Sequence, residues 1–278
     1  MHSYHIEWPG VDIRVFSPEG VAQQRGFLSW SLLPLQTQKD VSTHYALATG
    51  VRAALRTIGV RKAYAPNVGP ASAAIVSAAD LKECILLGGG VSLYRNHSIP
   101  ADGVFLKPGD AFVMSAAGCP VIIATDGEHM LVAHAGRDSL IDRNAVMGLP
   151  MARKHLGIVY AIIAAFKEKG VPPQKIDMHM QLSIPATAFE HRFDHPQHGA
   201  YNRALSAFVE ARWSHCILNK TDQGMFLDLE SVCVEQARQA GLRYVWATSS
   251  LGEFPSLAHT RDGNNPYRRN LVLVKRTL

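Results

Sequence analysis

Cys119 stands in Ser115-Ala116-Ala117-Gly118-Cys119-Pro120, and His134 follows fifteen residues later in Val132-Ala133-His134-Ala135-Gly136. A thiol beside an imidazole serves one of two kinds of chemistry. The ring can stabilise the thiolate of an activated nucleophile, or the two groups can be two ligands of a metal ion. Gly118 permits a tight bend and Pro120 removes a backbone donor, so the thiol sits at a break between two extended runs. The interval to His134 holds a strand, the Asp126-Gly127 turn and a returning strand. An antiparallel hairpin of that length places both side chains at one end of a sheet. Spacing alone leaves a structural reading open, because cysteine is a common core residue and a single histidine is more often structural.

Other groups carry weaker signals. Gly88-Gly89-Gly90 could cradle a phosphate if it opened a helix, but Val91-Ser92-Leu93-Tyr94 follows and favours a hairpin turn. His191, His195 and His198 hold an i, i+4 pair that could bind metal on a helix; Pro196 and the polar flanks favour a solvated loop. Arg261 and Asp262 could hold a substrate or cap the tail. Cys84, Cys216 and Cys233 read as core residues, and no CxxC pair exists to suggest a disulfide framework or a zinc ribbon.

The elements that must position these groups mix helix and strand. Asp12–Phe16 alternates as a strand, and Val41–Ile58 has helical spacing that ends at Gly59. An irregular Gly-, Ala- and Pro-rich region with strand-like pieces at Ala73–Ser77 and Cys84–Leu87 comes next. Ala111–Ser115, Pro120–Ala124 and Met130–Ala133 are apolar runs that suit neighbouring strands. Leu149–Lys169 is an amphipathic helix closed by Gly170-Val171-Pro172-Pro173. A strand at Ile176–Ile184, helices at Tyr201–Ala211 and Asp228–Ala240, and strands at Leu242–Ala247 and Leu271–Lys275 complete the chain. The order lacks a regular βαβ rhythm, which argues against a barrel or a doubly wound sheet and predicts an α+β fold. With no repeat and no linker, residues 1–278 are expected to form one domain.

A chain of 278 residues with 47% apolar and 18% charged residues has the composition of a globular enzyme. The net charge of +5 is spread along the chain, so a nucleic-acid groove is not expected. The longest apolar stretch, residues 158–166, is about half a membrane span, and the first residues lack the order of a signal peptide. A cytoplasmic setting and a small-molecule substrate are the expectation, with the oligomeric state left open.

Several segments together resemble the YfiH/laccase-domain family. Residues 108–121, from Pro108-Gly109-Asp110-Ala111 to Cys119-Pro120-Val121, are similar to its "PG-x-A-x-x-V-x-T-A-D-C-x-P-V". Val132-Ala133-His134-Ala135-Gly136 resembles "A-A-H-A-G-W-R-G", and Ala101-Asp102-Gly103 resembles "A-D-A". Ser183-Ile184-Pro185-Ala186 with Glu190, and Thr260-Arg261-Asp262-Gly263 through Arg268-Arg269, follow in the family's order. The resemblance implies a mixed β-sandwich flanked by helices. It also implies a zinc ion held by two His and one Cys, acting on purine nucleosides by phosphorolysis or deamination. Cys119 and His134 would be two of the ligands, His97 the substitute third, and Arg137, Arg261 and Arg269 substrate contacts. Copper is not expected, since no multicopper His-rich signature is present.

Three departures qualify this. The family's "Q-V-H-G" is matched by Asn67-Val68-Gly69, without a histidine; the Asp before the cysteine is Gly118; and Trp-Arg-Gly has become Arg137-Asp138-Ser139. The losses suit the deamidase domain of cytotoxic necrotizing factor toxins, which is thought to share the fold. There a metal-free Cys–His pair attacks a carboxamide, and the cysteine follows Ser-Gly much as Cys119 follows Ala117-Gly118. Three functions are therefore carried forward: a zinc enzyme of nucleosides, a metal-free Cys–His amidohydrolase, and a catalytically inactive relative that binds a ligand.

Overall fold

The computed structural model describes residues 3–8, 10–16, 52, 54–68, 72–96, 98–116, 119–247 and 270–277. Its strands, in chain order, are β1 (Ser3–Trp8), β2 (Val11–Phe16), β3 (Lys62–Tyr64), β4 (Ile75–Val76), β5 (Glu83–Gly88), β6 (Val91–Arg95), β7 (Gly103–Leu106) and β8 (Ala111–Ala116). They continue with β9 (Val121–Thr125), β10 (Met130–His134), β11 (Asp177–Gln181), β12 (Glu190–Arg192), β13 (Ile217–Lys220), β14 (Gly224–Leu227), β15 (Tyr244–Ala247) and β16 (Asn270–Arg276). The α-helices named here are α1 (Arg137–Leu140), α2 (Arg143–Val146), α3 (Ile158–Glu168), α4 (Gly199–Trp213) and α5 (Leu229–Gln239).

Among the described residues the strands form three sheets, ordered β1-β2-β16-β8-β3-β6-β5, β15-β11-β9-β10-β7-β4 and β12-β14-β13. The two larger sheets pack face to face, and the period-2 alternation of their strands decides which residues meet. Val121 and Ile123 of β9, Val132 of β10 and Val104 of β7 face Ile13, Phe112, Met114 and Val274 of the first sheet. The residues in between, Ile122, Ala124, Leu131 and Ala133, turn to the opposite side and bury against Ile158, Ile162, Phe166, Leu205 and Val232 of the helices. The outer face of the first sheet is covered in the same way, Ala63, Leu93, Val113 and Leu273 packing on Ala54, Leu55 and Ile58. Helix, sheet, sheet and helix thus form the mixed sandwich that the resemblance implies.

Several boundaries differ from the sequence expectation. The helix expected over Leu149–Lys169 begins only at Ile158. Residues 152–157 instead wrap the Arg153 side chain, which donates to the carbonyls of Asp138, His155 and Leu156 at 2.8, 3.1 and 2.7 Å. Gly157 then passes so close to α1 that a Cβ there would lie 1.9 Å from the Leu140 carbonyl oxygen. The expected helix over Val41–Ile58 is seen at residues 54–57, its earlier part lying outside the described residues. His191 belongs to strand β12 and is buried, not part of a solvated loop, whereas His195 and His198 lie in the turn before α4. Strands β13 and β14 carry no clean alternation and escape a reading of the sequence. Cys84 is exposed on the edge strand β5, while Cys216 and Cys233 are buried as expected. Gly89 and Gly90, at φ +62° and +76°, make the β5–β6 hairpin turn.

Candidate active site

β9 and β10 form the antiparallel hairpin that the spacing predicts, with His134 opposite Val121. The ladder runs on past the strand ends, the Ala135 N–H donating to the Pro120 carbonyl at 2.8 Å. Cys119, two residues before Val121, therefore shares the sheet end with His134. The two side chains are in hydrogen-bond contact. Gly136 packs against both: a Cβ there would meet His134 Cε1 and Nε2 at 3.0 Å and Cys119 Sγ at 3.4 Å. The thiol is half-buried, so one side of the pair stays open to solvent.

The other ring nitrogen is held from behind. His134 Nδ1 donates to Asp102 Oδ1 at 2.8 Å, and the His134 N–H donates to the Asp102 carbonyl at 2.8 Å. The Asp102 side chain is fully buried. Such a carboxylate needs its lone pairs met, and they are. Ser139 Oγ donates to Oδ1 at 3.1 Å, Ser72 Oγ to Oδ2 at 2.7 Å and the Ala73 N–H to Oδ2 at 2.6 Å. Ala73 takes φ +44°, a region that non-glycine residues seldom occupy, and there its N–H meets the carboxylate. Burial disfavours the His134 cation, but the hydrogen bonds to Asp102 and Cys119 outweigh it and raise the imidazole pKa to about 10.

Arg137 follows directly, its Nε and Nη2 donating to Asp138 at 2.7 and 3.3 Å. Tyr201 of α4 donates its hydroxyl to the same carboxylate at 3.1 Å, and the guanidinium groups of Arg137 and Arg143 lie 4.9 and 4.4 Å from the centre of its ring. Burial opposes ionisation of Asp138, yet Arg137 holds its carboxyl below the usual range.

The fold thus brings Cys119, His134 and Arg137 into one neighbourhood. His97, Arg261, Asp262 and Arg269 lie outside the described residues. His191 packs edge-on against Phe189, and the rings of His195 and His198 lie 4.6 Å apart. Asp102 and Ser139 carry no signal of a role in the sequence. Ala101-Asp102-Gly103 was visible as a segment, but nothing in its spacing tied a residue 32 positions before His134 to that ring.

The resemblance implies a zinc ion at this place. Asn67, the sequence counterpart of the family's first histidine, lies close to the Asp102 segment. Its carbonyl accepts from the Ala101 N–H at 2.9 Å, and it bridges to Pro100, next to Asp102. Yet among the described residues no three His, Cys, Asp or Glu side chains gather as a metal site. Cys119 and His134 lie together as two of the implied ligands, and His97, the third, lies outside the described residues.

No protein-family model and no curated relative matches the sequence. Solved structures do match the fold. A Neisseria meningitidis protein of the DUF152 family is 18% identical, with a TM-score of 0.61 over 99% of this chain and 98% of its own. Bacillus licheniformis YfiH is 13% identical, with a TM-score of 0.63 over 97% and 94%. Geobacillus stearothermophilus YlmD is 14% identical, with a TM-score of 0.65 over 97% and 93%. The order of segments in the sequence and the course of the whole backbone lead to the same place: the chain has the fold of the YfiH/laccase-domain proteins.

Proposed function

We propose that the chain is a metal-free thiol hydrolase of a small amide or ester, with Cys119 as nucleophile, His134 as acid and base, and Asp102 as the group that positions the ring. The observation that carries this reading is the line Asp102–His134–Cys119, in which Nδ1 of the ring is bound to the buried carboxylate and the thiol lies against the same imidazole. An imidazolium in contact with a thiol stabilises the thiolate. The sulfur attacks the carbonyl carbon, and His134 gives its Nε2 proton to the leaving amine or alcohol as that bond breaks. Water then gives a proton to His134 and attacks the thioester, the C–S bond breaks, and the acid is released.

The test is alkylation of Cys119 by iodoacetamide near neutral pH, read by mass spectrometry, beside metal analysis of protein purified without added metal. Rapid labelling that is lost in His134→Ala, with no bound metal, supports the reading. A thiol no faster than Cys84 would overturn it.

A second reading keeps the purine-nucleoside chemistry of the resemblance, with zinc on Cys119, His134 and His97. It is favoured by the fold likeness and by the Asp102 hydrogen bond, which orients a metal-binding histidine equally well. Stoichiometric zinc that disappears in Cys119→Ala would establish it in place of the first.

A further inference from the structure

Two guanidinium groups converge on Tyr201, that of Arg137 within electrostatic reach of the thiol, and only one carboxylate answers them. Asp138 takes two hydrogen bonds from Arg137 and one from Tyr201. Among the described residues Nη1 of Arg137 has no acceptor, and Arg143, exposed at the start of α2, reaches no carboxylate within ion-pair distance. Arg137, Arg143 and Asp138 taken together therefore carry one positive charge more than they neutralise. A nearby histidine responds to that field: burial, His195 and the charges of Arg137 and Arg143 push the His198 pKa down. Arg137 is tied to the reacting pair by the chain itself, since its neighbour is Gly136, where a Cβ would meet both Nε2 and Sγ. Its charge is also favoured by Cys119. A guanidinium laid on an aromatic ring loses little freedom when it binds a planar oxyanion, because the ring already fixes its plane.

We propose that Arg137 and Arg143, braced on Tyr201, form an oxyanion-binding subsite beside Cys119, so that the substrate is an amide or ester bearing a carboxylate or phosphate group close to the attacked carbonyl. This rests on Cys119 being the nucleophile, and it adds the chemical class of the substrate.

The test compares two reagents of nearly the same size, the anionic iodoacetate and the neutral iodoacetamide. With either, the Cys119 sulfur displaces iodide and forms one C–S bond, so only the charge of the reagent differs. The ratio of the iodoacetate rate to the iodoacetamide rate is measured for the full chain, for Arg143→Gln and for Arg143→Glu, at low and high salt. Arg143 is exposed, so these variants are expected to fold. The subsite predicts that the ratio falls by roughly three- to tenfold in Arg143→Gln and further in Arg143→Glu, and that salt compresses it in the unaltered protein. Any change in the thiolate fraction moves both rates alike and cancels in the ratio. An unchanged ratio with normal iodoacetamide labelling overturns the subsite and leaves the nucleophile standing. A Cys119 inert to both reagents overturns the nucleophile, and the subsite with it.

Discussion

Nδ1 of His134 lies 2.8 Å from Oδ1 of Asp102, a carboxylate with no exposed surface. That bond fixes which nitrogen faces the thiol. With Nδ1 committed to the carboxylate, Nε2 is left for Cys119, and the ring can turn only by breaking a charge-assisted hydrogen bond in the interior. The second oxygen is fixed as firmly by Ser72 and the Ala73 N–H, so the orienting group is itself held on both sides.

Asp102→Asn should therefore damage the pair and the fold together. An amide offers one acceptor and one NH2 where the protein presents only donors, so Ser72 with Ala73, or His134 with Ser139, must face a donor. Breaking a buried charged pair costs about 3–5 kcal/mol, and a loss of that size in urea denaturation is expected. The rate of Cys119 alkylation should fall at least tenfold. A variant of unchanged stability would show that the carboxylate is not held as described.

Gly136→Ala separates the site from the fold. Gly136 has φ −62°, which alanine adopts without strain, so the backbone has no reason to move. The added methyl would meet the His134 ring at 3.0 Å and Sγ at 3.4 Å, and those groups must give by a few tenths of an ångström. Stability is expected to change by less than about 1 kcal/mol, with alkylation of Cys119 slowed roughly tenfold to a hundredfold. Unaltered labelling kinetics would mean that Gly136 does not border the reactive pair.

The hairpin that joins Cys119 to His134 was legible because its information is local: two apolar runs, a turn of the right length and a glycine at the bend. The sandwich was not legible from alternation alone. β9 and β10 are buried on both faces, so Val121–Ala124 and Met130–Ala133 read as continuous apolar runs and say nothing about which side meets which layer. Asp102 was missed for a different reason. Its importance comes from pairing across β7 and β10 and from donors at Ser72, Ala73 and Ser139, contributions from three separate parts of the chain. Helix α3 was placed nine residues too early because Leu149 and Leu156 continue the apolar spacing. The close pass of Gly157 over Leu140, which forbids the helix there, is a tertiary contact.

That contact predicts a purely structural lesion. In Gly157→Ala the methyl would sit 1.9 Å from the Leu140 oxygen, 2.7 Å from its carbon and 3.1 Å from Gln236 Oε1. Backbone cannot yield as a side-chain tip can, and Gln236 is already pinned, its Nε2 donating to the same carbonyl at 2.8 Å. A loss of about 3 kcal/mol is expected from denaturant unfolding. Alanine tolerated without loss would show that α1 and the start of α3 are further apart than described.

The last prediction concerns alkaline pH. A histidine that ordinarily titrates near 6.5 and is raised to about 10 in the fold binds its proton more tightly when the chain is native. Its contribution to stability is complete below about 6.5 and disappears as pH climbs through about 10. Burial works against this shift, and Asp102 and Cys119 together produce it. Cys119→Ala removes one of the two partners and leaves the other, so the folded pKa should drop and the alkaline loss should begin at lower pH. Urea midpoints for the two proteins, measured from pH 6 to 10, are therefore expected to diverge: the unaltered chain should hold its stability further into the alkaline range than Cys119→Ala. Parallel curves would mean that the thiol contributes nothing to the charge on His134, and the ion pair on which the proposed chemistry depends would be lost with it.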